Sequence, residues 1–132
     1  MAGGKGTRMN SSLPKVLHKL NDKTLIEHTL EKVKSKIRKI IVIANNKEIK
    51  DVITVEDCIK GQLGPLVGVL TSMKWIKKNN LNYNWVMTFP CDTPFFEISI
   101  IDKFIEASKT NKSLLYFVKS KKKRHNIFGL WS

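Results

Sequence analysis

Apolar and polar positions along the chain follow two different periods. Over 24–36 (TLIEHTLEKVKSK), Leu25, Ile26, Leu30 and Val33 recur at helical spacing with charges between them, which predicts an amphipathic helix. The run 39–44 (KIIVIA) is continuous and β-branched, as expected of a strand buried on both faces of a parallel sheet. A short helix is expected over 46–52 and a short strand over 53–56. Gly64-Pro65 then opens a helix that runs to about residue 78, with glycine as the cap and proline at the first helical position. A strand follows at 84–89 (NWVMTF), a helix at 98–108 with Ile101, Phe104 and Ile105 inward, and two further strands at 113–119 and 127–131. Strands alternating with helices predict an α/β fold, a doubly wound and mostly parallel sheet with helices on both faces.

With 132 residues, the chain is the size of one domain, here read as 1–132. Hydrophobic residues at 42% and a mean hydropathy of −0.21 fit a globular, water-soluble class. No apolar run approaches the length of a membrane span, and the opening residues do not form a secretory signal, so a cytoplasmic location is expected. Two cysteines, Cys58 and Cys91, are too few for a disulfide framework and lack metal-ligand spacing. The Gly-rich segment at 3–6 is expected to follow a strand of about five residues. Only Met1 and Ala2 stand ahead of it, and residue 132 ends an apolar stretch. The domain therefore reads as shortened at both ends.

The net charge of +13 raises the question of nucleic acid. Only three of the 24 basic residues are arginine (Arg8, Arg38 and Arg124), the side chain that reads bases and phosphates with a bidentate fork. No specific nucleic acid is expected. A positive surface that attracts nucleotides or phosphorylated ligands fits better, on top of a general Lys, Asn and Ile bias.

Three segments carry candidate chemistry. In Ala2-Gly3-Gly4-Lys5-Gly6-Thr7-Arg8, followed by Leu13-Pro14-Lys15, glycines let backbone N–H groups cradle an anion, and Arg8 and Lys15 are placed to neutralise a triphosphate. The pattern is neither a Walker loop nor GxGxxG opening directly into a helix. Pro90-Cys91-Asp92-Thr93-Pro94 follows an apolar strand, so Asp92 falls at the carboxyl edge where α/β proteins bind ligands. One carboxylate there suits Mg²⁺, the expected cofactor, which adds phosphate oxygens and water to one or two carboxylates. Asp57 ends another short strand, just ahead of the helix that begins at Pro65. Asn45-Asn46 follows the 39–44 strand and could bond a base or ribose. His18 and His28 are expected on solvated helical surfaces, and His125 in a surface loop beside the basic run 119–124.

These residues resemble a known family. AGGKGTRM with LPK is similar to the signature loop of nucleotidyltransferases that make sugar nucleotides, and residues 4–20 are especially similar to the start of UDP-N-acetylglucosamine pyrophosphorylases. From residue 55 on, VEDCIKGQLGPLVGVL, WVMTFPCDTPF and RHNIFGLWS resemble molybdenum cofactor guanylyltransferases. The resemblance implies that Ala2, Gly3 and Gly4 lie along the nucleotide, Lys15 on its phosphates, Asp57 at the guanosine and Asp92 on Mg²⁺. Asn45 falls near the family's base-contacting asparagines; Ile43 stands where a second would be, and His125-Asn126 replaces an HP segment. The implied reaction transfers GMP from GTP to the terminal phosphate of molybdenum-molybdopterin and releases pyrophosphate, with Arg8, Lys15 and Asp92 as catalytic residues. GTP and a phosphorylated acceptor, molybdopterin, are the implied partners, with room for contact with molybdopterin-handling proteins. Cytidylyl or uridylyl transfer to a sugar phosphate, and a non-catalytic nucleotide-binding fragment, are the alternatives.

Overall fold

The computed structural model describes residues 15–45, 48–61, 64–110 and 112–132. A 3-10 turn at Lys15–Leu17 leads into a small hairpin of β1 (Lys19–Leu20) and β2 (Lys23–Thr24). Its two turn residues, Asn21 and Asp22, both have positive φ (50° and 65°). This is the primed-turn geometry that matches strand twist, and Asn and Asp tolerate it better than other side chains.

Helix α1 (Leu25–Lys34) starts at a capping box. The Glu27 N–H donates to the Thr24 hydroxyl at 3.3 Å, and the Glu27 carboxylate accepts from the Thr24 N–H at 2.6 Å and from its hydroxyl at 2.8 Å. These bonds, the backbone one first, hold the Glu27 carboxyl below the usual carboxylate range. The helix buries Ile26, Thr29, Leu30 and Val33.

Strand β3 (Ile41–Ile43) pairs in parallel with β4 (Ile53–Val55). The helix expected between them is not formed over 48–52; residues 46 and 47 lie outside the described residues. Asp51 at φ 60° turns the backbone out of a helical path, and the Ile49 N–H donates to the Thr54 hydroxyl at 3.1 Å. Helix α2 (Pro65–Lys78) has proline at its start, and Gly64 ahead of it takes φ 82°. Strand β5 (Val86–Thr88), helix α3 (Ser99–Thr110), β6 (Leu115–Ser120) and β7 (Lys123–Trp131) complete the order.

The last two strands form one hairpin. β7 begins four residues ahead of its expected start, so the basic run lies at the hairpin tip, where lysines are solvated and Lys121 supplies a positive φ of 55°. β7 is the middle strand of a three-stranded sheet ordered β5-β7-β6, antiparallel on both sides. The α/β alternation is thus as predicted, while the described pairing is mixed rather than mostly parallel.

Two apolar clusters hold these layers together. Val16, Ile26, Leu30, Val42, Ala44 and Cys91 form one, between α1 and the ends of β3 and β5. Val33, Phe96 and Phe128 form the other, with Phe89 stacked on Phe96 at 5.2 Å. Among the described residues, no helix is long and apolar enough to cross a membrane.

Candidate functional site

Parallel pairing of β3 with β4 sets Ile43 opposite Val55. Two residues farther along each strand, Asn45 and Asp57 come level and close on each other. The Asn45 Nδ2 donates to Asp57 Oδ2 at 2.8 Å, and the Asp57 N–H donates to Asn45 Oδ1 at 2.8 Å. The two bonds orient both side chains. A carboxylate has about four acceptor sites, so Asp57 keeps capacity for a ligand. Ile43, where a second base-contacting asparagine was sought, is buried in β3.

Beyond β5 the chain turns through Pro90-Cys91-Asp92. Asp92 Oδ2 accepts from Lys15 Nζ at 3.2 Å across 77 residues, and its Oδ1 accepts from the Thr93 hydroxyl at 3.1 Å. The side chains of Lys15 and Asp92 are 48% and 36% exposed, so both can exchange this contact for one with a ligand. Among the described residues no three His, Cys, Asp or Glu side chains gather as a metal set. Asp92 offers a single accessible hard-oxygen ligand, a donor set that fits Mg²⁺ completed by phosphate oxygens and water. Ala2, Gly3, Gly4 and Arg8 lie outside the described residues.

Two buried threonines fix the loops that carry these acids, and neither was marked by sequence reasoning. Thr71 on α2 donates to Val67 O at 2.7 Å and accepts the Cys58 N–H, next to Asp57, at 2.9 Å. Thr29 on α1 donates to Leu25 O at 3.0 Å and stands 3.5 Å from Cys91 O, next to Asp92. The signal was available: a threonine on the apolar face of a helix needs a partner for its hydroxyl.

His28 and His125 depart from expectation. His28 Nε2 lies 2.7 Å from Leu20 O, tying α1 to the first hairpin rather than facing only water. His125 sits in the β7 ladder opposite Val118, edge-on to Phe128, and not in a loop. His18, through its carbonyl, accepts the Leu25 N–H at the entry to α1.

Comparison with known proteins bears on the family and the fold. The chain is 30% identical over its whole length to a protein named molybdenum cofactor guanylyltransferase from Haemophilus influenzae, covering 68% of that relative. It is also 41% identical over 117 residues to the bifunctional protein GlmU of Buchnera aphidicola, covering 83% of this chain and 24% of that one. The crystal structure of molybdopterin-guanine dinucleotide biosynthesis protein A from Archaeoglobus fulgidus superposes with a TM-score of 0.76 at 16% identity, over 99% of this chain and 64% of that one. The chain thus spans about two thirds of the length of these guanylyltransferase-type proteins. Since the family model described as the MobA-like NTP transferase domain matches residues 1–132, the chain belongs to that family.

Proposed function

We propose that this domain binds GTP and serves guanylyl transfer to the terminal phosphate of molybdopterin. An acceptor phosphate oxygen would bond to the α-phosphorus while the bond to the bridging oxygen breaks and pyrophosphate leaves. Such a step depends mainly on positioning and charge neutralisation. The observation that carries the reading is the meeting of two residue pairs, Asn45 with Asp57 and Lys15 with Asp92, beyond the ends of β3, β4 and β5.

Each pair has a role. Guanine presents two adjacent N–H donors on its pairing edge, and the Asp57 carboxylate, held by Asn45, is suited to accept them. Cytosine and uracil lack that donor pair. Lys15, with Arg8, offsets charge on the β- and γ-phosphates, while the backbone at Ala2, Gly3 and Gly4 lies along the nucleotide. Asp92 would hold Mg²⁺, which supplies further neutralisation of phosphate charge when bound. The relatives named molybdenum cofactor guanylyltransferase favour molybdopterin as the acceptor.

The resemblance of residues 4–20 to UDP-N-acetylglucosamine pyrophosphorylases favours a second reading, uridylyl transfer to a sugar phosphate. Thermal unfolding with Mg²⁺ and each of GTP, CTP, UTP and ATP separates the two. Stabilisation by GTP alone is expected, by a few degrees if the ligand is well above its Kd. Selective stabilisation by UTP would replace the guanine reading.

A further inference from the structure

The β6–β7 hairpin carries the densest charge in the chain: Lys119, Lys121, Lys122, Lys123 and Arg124 fall within six residues, and no Asp or Glu follows Glu106. Near the tip the register sets Lys119 directly opposite Arg124, and Val118 opposite His125. Directly opposed residues share one face of an antiparallel pair, with β-carbons about 5 Å apart. Val118 and His125 take the inner face, packed toward Phe128. Lys119 and Arg124 therefore share the outer face, and both are exposed. Two like charges so placed destabilise the hairpin, and among the described residues no carboxylate pairs with either.

Arg124 is nevertheless fixed in place. Its guanidinium lies over the Phe117 ring at 5.2 Å, and its Nε donates to Asn126 Oδ1 at 2.7 Å. The platform beneath is anchored in turn: Phe117 meets Trp131 edge-on at 5.3 Å, and the Trp131 indole donates to the hydroxyl of buried Thr88. A bulge supplies the geometry. The register passes from Phe117 opposite Gly129 to Val118 opposite His125, so 126–128 are looped out of the ladder, and the Thr88 hydroxyl donates to Ile127 O at 2.7 Å. Bulges re-aim side chains beside binding sites. This one brings Asn126 onto the Arg124 Nε and leaves both Nη groups without a partner among the described residues. The N–H fork that remains matches a tetrahedral oxyanion, with the Lys119 ammonium across the ladder as a second charge. Because β7 runs antiparallel to β5, with Gly129 opposite Thr88, its earlier residues continue past the end of β5 from which Asp92 leaves.

We propose that Arg124 and Lys119 form an anion site for the phosphate group of a small molecule, taken by the two Nη groups of Arg124 and the Lys119 ammonium. A phosphate dianion cancels the like-charge pair that the bare hairpin carries, which sets this pair apart from the lysines at the tip. The site stands whether or not the nucleotidyl-transfer reading does, since it uses none of Lys15, Asn45, Asp57 and Asp92. The test follows the Arg124 Nε–H and the Lys119 amide by NMR in the whole chain. Inorganic phosphate, glycerol phosphate and a short oligothymidylate are titrated in turn at constant ionic strength, against sodium chloride as control. Arg124→Lys, Lys119→Gln and Lys121→Gln are compared with the parent, and the amide spectrum of the core checks that each is folded.

Both phosphates are expected to saturate these signals at about 1–10 mM, while sodium chloride leaves them in place. Arg124→Lys keeps the charge but loses the fork, and should weaken binding by about tenfold; Lys119→Gln should weaken it severalfold, and Lys121→Gln by about twofold at most. Shifts that never saturate, or equal weakening by Lys121→Gln and Arg124→Lys, overturn the proposal, since the charge then acts only as a diffuse field. Saturation by inorganic phosphate without glycerol phosphate also overturns it, because the site then takes a free ion and no ligand that carries one. Tighter binding of oligothymidylate, weakened alike by Lys121→Gln and Arg124→Lys, would replace the site with an arm for a nucleic-acid backbone.

Discussion

Asp92 is held on both sides within its own chain, by Lys15 on one oxygen and Thr93 on the other. Replacing it by alanine removes the only carboxylate in that turn and leaves Lys15 free to contact a phosphate. GTP should then still bind, while the extra thermal stabilisation that Mg²⁺ adds to GTP disappears. Pyrophosphate release, assayed in a protein that turns over, should fall by ~10²–10³, the usual effect of removing one preorganised charge contact. An undiminished Mg²⁺ effect would remove Asp92 from the metal role. Gly129 is a residue of another kind, defined by what lies over it. A β-carbon there would meet Trp131 Nε1 at 2.9 Å, and that indole donates to the Thr88 hydroxyl at 2.9 Å while lying edge-on to Phe117. Gly129→Ala should displace the indole and cost about 1–3 kcal/mol in urea unfolding, with a shift in tryptophan emission.

At the scale of elements, α1 carries a pH signature. Because the Glu27 carboxyl is held below its ordinary range in the folded chain, the capping box adds stability that is whole above the unfolded value and fades as pH falls through the folded one. Glu27→Gln should therefore lose less stability than the parent between about pH 6 and about pH 3, as read by urea midpoints. The same helix shows what the sequence could reveal. Its period and that of α2 and α3 are strong, and all three lie within two residues of expectation. The β1–β2 hairpin escaped because Asn21-Asp22 lacks the glycine that usually marks a primed turn. The start of β7 was hidden in the lysine run, where charge says nothing of strand or loop. For the site, Asp57 and Asn45 could be placed at strand ends, but their contact needs the register of Ile43 with Val55. The reach from Lys15 to Asp92 spans 77 residues and has no local signal at all.

For the molecule as a whole, the net charge of +13 sets a field that favours any polyphosphate before contact is made. Most of that charge is lysine spread along the chain, so the attraction is diffuse and screened by salt. The apparent Kd for GTP should weaken severalfold as ionic strength rises from ~0.05 to ~0.5 M, while the preference for GTP over UTP stays constant. A preference that vanished with salt would mean that the base is not read by contact. The ion pair of Lys15 with Asp92 carries this one step further. In the chain alone the two charges satisfy each other, so on the proposed reading a nucleotide that draws Lys15 to its phosphates bares Asp92 for a cation, and a cation on Asp92 releases Lys15 for phosphate. Nucleotide and magnesium are then linked ligands: each must tighten the other's binding by the same factor, and Lys15→Gln would weaken that reciprocity from both sides at once.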